Sequence, residues 1–208
     1  MSWEWPKGIS NLSKDTVRLE ALTLDHIPGL IEAASTATEH EFAMGFVPRP
    51  EDIPVYVNRA LGERKAGRSY PFAVCLATGQ PIGTSWFRVF DSWRKKLEIG
   101  FTWYALPYRK GTTNLLTKLL LMSFAFEELG CILVEFLVHE QNHPSQRAIA
   151  GLGARKDGML RRVIPMADGS FGDVFVFSVA NDEWPSVKEI IAQRVAKRRS
   201  EEAASVLH

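Results

Sequence analysis

Apolar residues alternate with polar ones in some stretches of the chain and recur at helical spacing in others, which predicts a mixed α/β protein. Residues 17–22 alternate as a half-buried strand does, and an amphipathic helix follows them. Residues 36–50 are a predicted loop, after which a second helix begins near residue 53 and ends at Gly67. The first part of the chain therefore predicts one strand and two helices.

Three runs rich in β-branched and aromatic residues follow one another in the middle of the chain. They span residues 71–77, 81–90 and 97–106, and short polar turns separate them. Strands that are consecutive in sequence and joined by short turns form an antiparallel meander. This part of the chain therefore predicts three neighbouring antiparallel strands.

A buried helix begins the last part of the predicted fold. Its apolar residues lie almost all round the helix, which is typical of a helix covered on every side, and Gly130 ends it. A buried strand, a helix that begins at Pro144, two more strands and a final amphipathic helix follow. Their predicted bounds are 113–129 for the buried helix, 132–139 for the strand, 144–151 for the next helix, 158–166 and 171–179 for the two strands, and a start near residue 182 for the last helix.

Composition and charge are those of an ordinary globular protein. Of the 208 residues, 46% are hydrophobic and 24% are charged, and the formal net charge is +1. The balance of charge argues against binding to nucleic acid, and no apolar stretch reaches the about 18 residues of a membrane span. The two cysteines, Cys75 and Cys131, lie in apolar runs, and no secretion signal is evident. We therefore expect a cytoplasmic protein without nucleic-acid or membrane partners.

The predicted organisation is one domain with an extension at each end. We expect residues 1–16 to form an N-terminal arm, residues 17–181 to form the domain, and residues 182–208 to form a C-terminal helix and charged tail. No internal repeat or low-complexity linker divides the domain, so one α/β domain is the simplest arrangement.

The sequence HEQNH at residues 139–143 matches H-E-x-x-H, the pattern of zinc peptidases. That chemistry needs both histidines on one face of a helix, one turn apart. The residues before Glu140 predict a strand instead, and Pro144 disfavours helix at His143. A zinc-dependent hydrolase that uses His139, Glu140 and His143 is therefore kept only as an alternative.

A basic loop between the predicted strand 97–106 and the buried helix has the composition of an anion site. Arg109 and Lys110 supply positive charge, and Gly111 lets a ligand approach the backbone closely. The first amides of a helix have no partner within it, and the helix dipole favours negative charge there. The loop therefore predicts a diphosphate site, and an ordinary strand-to-helix connection is the alternative.

Four characteristic segments occur in order along the chain: LEIGFTWY, PYRKGTTNLLTKLLL, AFEELGC, and N-x-x-S-x-x-A-I-x-x-L-G-A from Asn142 to Ala154. Together they resemble the GNAT superfamily of N-acetyltransferases, and most closely its RimJ/RimL-like branch. The resemblance spans about residues 17–179 and agrees with the predicted order of elements. The fold it implies is α/β, with a mixed, mostly antiparallel central sheet and helices on both faces. The sheet splays between the strands Leu97–Leu106 and Ile132–His139.

The resemblance implies acetyl-CoA as a co-substrate in the gap between the splayed strands, and no metal. Free backbone groups would bind the pantetheine arm there and polarise the thioester carbonyl. The family pattern Q/R-x-x-G-x-G/A is matched at Gly111, whereas Tyr108 and Thr113 depart from it. The residues so implied are Thr102, Trp103 and Tyr104 for pantetheine, and Arg109, Lys110, Gly111, Thr112, Thr113 and Asn114 for the pyrophosphate.

Acetyl transfer to an amine needs a base for the amine and a hydrogen-bond donor for the departing thiol. Glu98 lies early on the strand, where related enzymes often have a carboxylate base. The alternative for Glu98 is a half-exposed side chain paired with Lys95 or Lys96. The resemblance makes Ser145 the candidate donor to the CoA sulfur, and Asn142 a candidate contact of pantetheine or substrate. Helix capping is the alternative for both.

The acceptor pocket is expected between the loop 36–50 and the strand face around Trp86. Phe42, Phe46, Trp86 and Arg88 are the candidate substrate contacts, and a place in the core is the alternative for the aromatic residues. We therefore expect an acetyl-CoA-dependent N-acetyltransferase that modifies a primary amine of a protein N-terminus, a peptide or a small molecule by direct transfer in a ternary complex. A catalytically silent CoA-binding module is the other alternative, and homodimerisation is left open.

Overall fold

Eight strands form one sheet in the computed structural model, which describes residue 9, residues 11–166 and residues 169–206. Their order across the sheet is β1-β2-β3-β4-β5-β6-β8-β7, and only β5 and β6 run parallel. The predicted mixed, mostly antiparallel sheet is therefore confirmed. The strands are β1 (Asn11–Lys14), β2 (Val17–Ala21), β3 (Ser69–Leu76), β4 (Pro81–Asp91), β5 (Lys96–Tyr104), β6 (Leu133–His139), β7 (Arg155–Pro165) and β8 (Phe171–Ala180).

The helices cover both faces of this sheet. Short 3₁₀ turns precede the first and third α-helices and follow β5. The α-helices are α1 (Ile27–Ala34), α2 (Glu39–Ala43), α3 (Ile53–Lys65), α4 (Thr113–Ser123), α5 (His143–Ala150) and α6 (Trp184–Val206), and a π-helical turn (Phe124–Glu128) extends α4.

Two apolar cores lie on the opposite faces of the sheet. One contains residues of α4, α5 and α6, packed on alternate positions of the strands. The other contains residues of α1 and α3, packed on the intervening positions. Because successive side chains of a strand point to opposite faces, the two cores separate the sheet residues by parity.

Both ends of the chain contribute to the sheet or its core. β1 pairs with β2, and Ile9 is buried, so part of the predicted arm is an edge strand with its flank; residues 1–8 and 10 lie outside the described residues. Trp184 and Ile191 of α6 are buried in the core beside α4. Among the described residues, no helix is both long enough and apolar enough to cross a membrane.

Two local features differ from the predicted elements. The predicted loop 36–50 contains α2, which begins with a capping box: Thr38 Oγ1 accepts from the Glu41 amide, and the Glu41 carboxylate accepts from the Thr38 amide. The predicted helix 113–129 changes to a π-helical turn after Ser123. Sequence periodicity does not show such a turn, because the turn differs from an α-helix in its backbone hydrogen bonds.

Candidate functional site

The site is built around a β-bulge in β5. Trp86 lies opposite Gly100 and Thr84 lies opposite Trp103, so β5 has one residue more than β4 between these pairs. Phe101, within the extra length, has a φ angle of +46°. An extra residue of this kind bends its strand and increases its twist.

After the bulge, the side chains of β5 point to the opposite faces of the sheet from those that regular alternation would give. In a regular strand Ile99 and Trp103 would point to the same side, yet Ile99 lies in the core beside α4 and Trp103 lies in the core beside α1 and α3. Phe101, a bulky residue at a rare backbone angle, is 36% exposed. The reversal thus leaves the aromatic side chain of Phe101 partly exposed to solvent on the α1/α3 face.

A gap opens between β5 and β6 close to the bulge. The two strands pair only over Lys96–Glu98 with Leu133–Glu135, and no later residue of β5 has a partner on β6. Backbone groups that face the gap after Glu98 are therefore free of strand partners and can bind a ligand. The predicted splay between these two strands is confirmed.

Polar side chains hold the bulge from the α1/α3 face. The Thr84 hydroxyl donates a hydrogen bond of 3.0 Å to the Phe101 carbonyl oxygen. The Tyr56 hydroxyl lies 2.8 Å from Thr84 Oγ1 and donates to it, since the Thr84 proton is already used. Burial raises the pKa of Tyr56 to about 12, so the phenol keeps its proton at neutral pH.

A second polar group holds the bulge from the α4 face. Lys118 Nζ donates a hydrogen bond of 2.9 Å to Thr102 Oγ1, and Ser85 Oγ lies 2.7 Å from the same oxygen. Thr102 is thus the centre of a small buried network that joins α4, β4 and β5.

The basic loop leads from the end of β5 into the N-terminus of α4. Arg109 Nε donates 2.7 Å to the Tyr104 carbonyl, and Arg109 Nη1 forms an ion pair with Glu41 of α2. Arg109 Nη2 is buried and has no hydrogen-bond partner within the described part of the chain. The Tyr104 hydroxyl donates 3.2 Å to Asn114 Oδ1, and Lys110 is exposed.

This loop fits an anionic group such as a diphosphate. A buried guanidinium nitrogen without a partner calls for an acceptor, and the first amides of α4 supply further donors with the helix dipole behind them. Arg109 does more than the sequence predicts, because its ion pair also ties the loop to α2, and its role in pyrophosphate binding stays a prediction.

Glu98 lies on the face of the sheet that carries Phe101. It is 6% exposed, and its Oε1 lies 2.7 Å from Arg88 Nη1. The alternative of a half-exposed carboxylate paired with Lys95 or Lys96 is wrong, because Lys96 pairs with Glu135 at 2.8 Å. Burial raises the pKa of Glu98 and the nearby Glu135 adds to this effect, while Arg88 opposes it.

The turn after β6 places Asn142 and Ser145 at the start of α5. Asn142 Oδ1 accepts a hydrogen bond of 3.1 Å from the Ser145 amide and is the N-cap of the helix. The capping alternative is therefore confirmed for Asn142. The half-buried Ser145 hydroxyl makes no hydrogen bond within the described residues, which leaves it available to a ligand.

Two neighbouring cavities border Phe101 on the α1/α3 face. The larger, of about 300 Å³, is lined by Phe42 and Phe46 together with Trp103. The smaller, of about 180 Å³, is lined by Trp86 and Arg88. The structure thus brings the four predicted substrate residues to one region, although Trp86 is only 1% exposed and belongs mainly to the core.

Three further residues of this region are absent from the sequence prediction: Tyr56, Arg59 and Phe101. Arg59 lines both cavities, and its guanidinium carbon lies 5.6 Å from the centre of the Phe101 ring. The spacing of Tyr56 and Arg59, three residues apart on a helix, is a signal that they share a face. Nothing in the alternation of β5 indicates the exposed position of Phe101.

The HEQNH segment does not have the geometry of a zinc peptidase. His139 is the last residue of β6 and is buried, with Nδ1 accepting 3.1 Å from the Gln141 amide. His143 is the exposed first residue of α5. His139 thus ends a strand and His143 begins a helix after a turn, whereas the zinc site would need both histidines on one helix face.

Comparison with known proteins agrees with this geometry. The family model of the acetyltransferase (GNAT) domain matches residues 16–155. An uncharacterized N-acetyltransferase, p20, of Bacillus licheniformis is 28% identical over 139 residues, which is 66% of this chain and 75% of that protein.

Solved structures show the same fold. A GCN5-related N-acetyltransferase from Brucella melitensis is 26% identical, with a TM-score of 0.79 over 88% of this chain and 84% of that chain. Mycobacterium smegmatis RimJ, in complex with CoA-disulfide, is 19% identical, with a TM-score of 0.73 over 88% of this chain and 90% of that chain. At 19% identity the likeness shows the fold alone. The match of the family model over most of the chain shows more: the protein belongs to the GNAT family of N-acetyltransferases and is an acyltransferase.

Proposed function

We propose that this acyltransferase uses acetyl-CoA to acetylate a primary amine, by direct attack of the amine on the thioester in a ternary complex. The observation that carries the proposal is the gap between β5 and β6. It adjoins the loop and N-terminus of α4 on one side of the sheet and the aromatic cavities around Phe101 on the other. Such a gap lets two substrates meet from opposite faces.

Each part of the gap would contact a different part of acetyl-CoA. Backbone groups of residues 102–104 would bind the pantetheine arm, and an amide among them would polarise the thioester carbonyl. Arg109 Nη2 and the loop 110–114 would hold the pyrophosphate, since they supply donors and positive charge. The free hydroxyl of Ser145 would donate to the departing sulfur, and Asn142 would contact pantetheine or substrate as well as capping α5.

Glu98 is the proposed base. Burial raises its pKa above that of an ordinary glutamate, which makes it a stronger base, and it shares its face of the sheet with the cavities. An α-amine with a pKa near 8 is about a tenth neutral at pH 7, whereas a lysine near 10.4 is far less so. A modest base, acting directly or through water, is therefore enough for an α-amine.

No covalent acyl-enzyme is proposed. Cys75 and Cys131 are buried, and burial raises the pKa of Cys75 to about 12 and that of Cys131 to about 11. Since the thiolate is the nucleophilic form of cysteine, neither residue is suited to carry an acetyl group at neutral pH.

The acceptor class is proposed from the resemblance to the RimJ/RimL-like branch. Its members act on α-amino groups of proteins, on peptides and on small amines, and the aromatic cavities are open to each of these. A cytoplasmic location, the absence of nucleic-acid and membrane partners, and a homodimer stay predictions.

Calorimetric titration of acetyl-CoA into protein treated with a chelator tests the cofactor side. We expect micromolar binding; no binding by folded protein would overturn the proposal, and the zinc content of untreated protein would then test the HEQNH alternative. A screen of α-amino peptides and small amines for release of CoA tests turnover. Binding without turnover across this screen would favour the silent CoA-binding module.

Glu98→Gln tests the base, with Glu135→Gln as the matched control, because both carboxylates lie on neighbouring strands of the same sheet. The acidic limb of the pH profile of kcat/KM should be lost in Glu98→Gln. In Glu135→Gln the limb should remain and move to lower pH, because the nearby negative charge that raises the pKa of Glu98 is removed. An unchanged profile from about pH 6 to about pH 9 would remove Glu98 from the mechanism.

A further inference from the structure

Lys118 is a buried lysine close to the gap between β5 and β6. The proposed mechanism, in which Glu98 and Ser145 assist acetyl transfer, gives it no role. It is 3% exposed, and its Nζ lies 2.9 Å from Thr102 Oγ1 of β5 and 5.4 Å from the centre of the Phe136 ring on β6. The side chain thus reaches from α4 to both strands of the splay. No carboxylate forms an ion pair with it within the described part of the chain.

The surroundings of the Lys118 ammonium are polar but uncharged. Thr102 of β5, Ser85 of β4 and Phe136 of β6 face it, and Tyr104 of β5, a phenol that burial keeps protonated, lies in the same core. Glu98 belongs to the opposite parity of β5 and faces the other side of the sheet. Burial by itself lowers the pKa of Lys118 to about 7.

A buried amine without an anionic partner is costly to the fold, and an apolar side chain of similar size would fill the same space. What Lys118 supplies is the hydrogen bond to Thr102, within the extra length of the bulge. That bond holds β5 in the conformation in which residues 102–104 turn away from β6.

We propose that Lys118 is a positioning residue of the transfer site: through Thr102 it fixes the bulge of β5, so that residues 102–104, which have no partner on β6, border the gap in which acetyl-CoA binds. The inference rests on the proposed acetyl-CoA site.

The test compares the wild type with Lys118→Met, which has a similar volume in an unbranched side chain one atom shorter and removes the hydrogen bond. We expect the Kd for acetyl-CoA, measured by calorimetry, to rise about 2- to 10-fold, with a parallel fall in kcat/KM for any amine that turns over. The thermal midpoint should stay the same or rise, because a buried charge is lost. A residue that only supported the fold would lower stability and affinity together.

Two further variants keep the test decisive. Thr102→Val removes the acceptor of the same hydrogen bond, so it should lose as much affinity as Lys118→Met, and the double variant should lose no more than either. Met122→Leu changes a buried residue of α4 in the core and is the matched control with unchanged affinity.

The pH dependence of binding separates the lysine from the ligand. An ammonium donates stronger hydrogen bonds than a neutral amine, so wild-type affinity should weaken from about pH 6 to about pH 8 more steeply than that of Lys118→Met. The 3′-phosphate of CoA also changes its protonation in this pH range, but it does so equally whether the wild type or Lys118→Met is the binding protein.

Unchanged Kd and kcat/KM in folded Lys118→Met and in Thr102→Val would overturn the inference while the proposed function stands. Failure of the wild type itself to bind acetyl-CoA would overturn the proposed function, and the inference with it.

Discussion

The buried Lys118 makes stability depend on pH in a direction that can be calculated. Its pKa is about 7 in the folded chain and about 10.4 in the unfolded chain. Between these values the unfolded chain holds one proton more than the folded chain, so the free energy of unfolding rises with pH. Below about pH 7 both forms are charged, and the full cost of burying the ammonium is present.

The size of the effect follows from about 1.4 kcal/mol per unit of pKa difference. Across the two units from about pH 7.5 to about pH 9.5, the wild type should gain about 3 kcal/mol relative to Lys118→Met, which has no ionisable group at this position. The variant should therefore be the more stable protein at about pH 6.5, and its advantage should shrink steadily towards alkaline pH.

Urea unfolding followed by tryptophan fluorescence measures this difference at several pH values. Other titrating groups affect both proteins alike, so subtracting the two curves isolates the lysine. Curves that run parallel from about pH 6.5 to about pH 9.5 would show that Lys118 keeps its ordinary pKa in the folded chain, and the argument from burial would be wrong.

Three further predictions concern the surrounding structure. Asn142→Ala should lower the free energy of unfolding by about 1 kcal/mol through loss of the α5 cap, whereas Asn142→Asp, which can still cap, should keep most of it; denaturant unfolding distinguishes them. A Cβ at Gly83 would lie 2.0 Å from the Trp103 carbonyl oxygen, so Gly83→Ala should cost about 1–3 kcal/mol in the same assay and weaken acetyl-CoA binding. Arg88→Met removes the cation that lowers the pKa of Glu98, so the acidic limb of the kcat/KM profile should move to higher pH; an unmoved limb would contradict the role of Glu98 as base.

Periodicity and turn residues were enough to predict most of the elements, because an apolar face must be buried whichever fold the chain adopts. The three-strand meander and the strand 132–139 agree with the structure to within a few residues. The apolar pattern does not indicate the helix α2, although Thr38 and Glu41 have the spacing of a capping box, which is a local signal of a helix start. The apolar pattern does not indicate the edge strand β1 either, because its four mostly exposed residues have no hydrophobic alternation.

The site could be predicted only where its residues belong to segments with a recognisable pattern. The loop 109–114 and the pair Asn142 and Ser145 do, and the four acceptor residues lie near one another as expected. Phe101 and Lys118 could not be found in this way. Regular alternation would point Phe101 to the same face as Ile99 and bury it beside α4. Lys118 lies in a run of leucines, and the helical spacing of these leucines does not indicate what a single lysine among them does.

The extra residue in β5 explains most of the features of the site that the sequence does not predict. The bulge bends β5 near the point where its pairing with β6 ends, and it turns Phe101 towards the acceptor cavities. Tyr56 and Thr84 hold it from one face, while Lys118 and Thr102 hold it from the other. Because the two networks hold adjacent residues of β5, Phe101 through its carbonyl and Thr102 through its hydroxyl, a change on the acceptor face should also shift the part of β5 that borders the gap. Acceptor recognition and acetyl-CoA binding should therefore be energetically coupled in this protein, and substitutions in either network should change both.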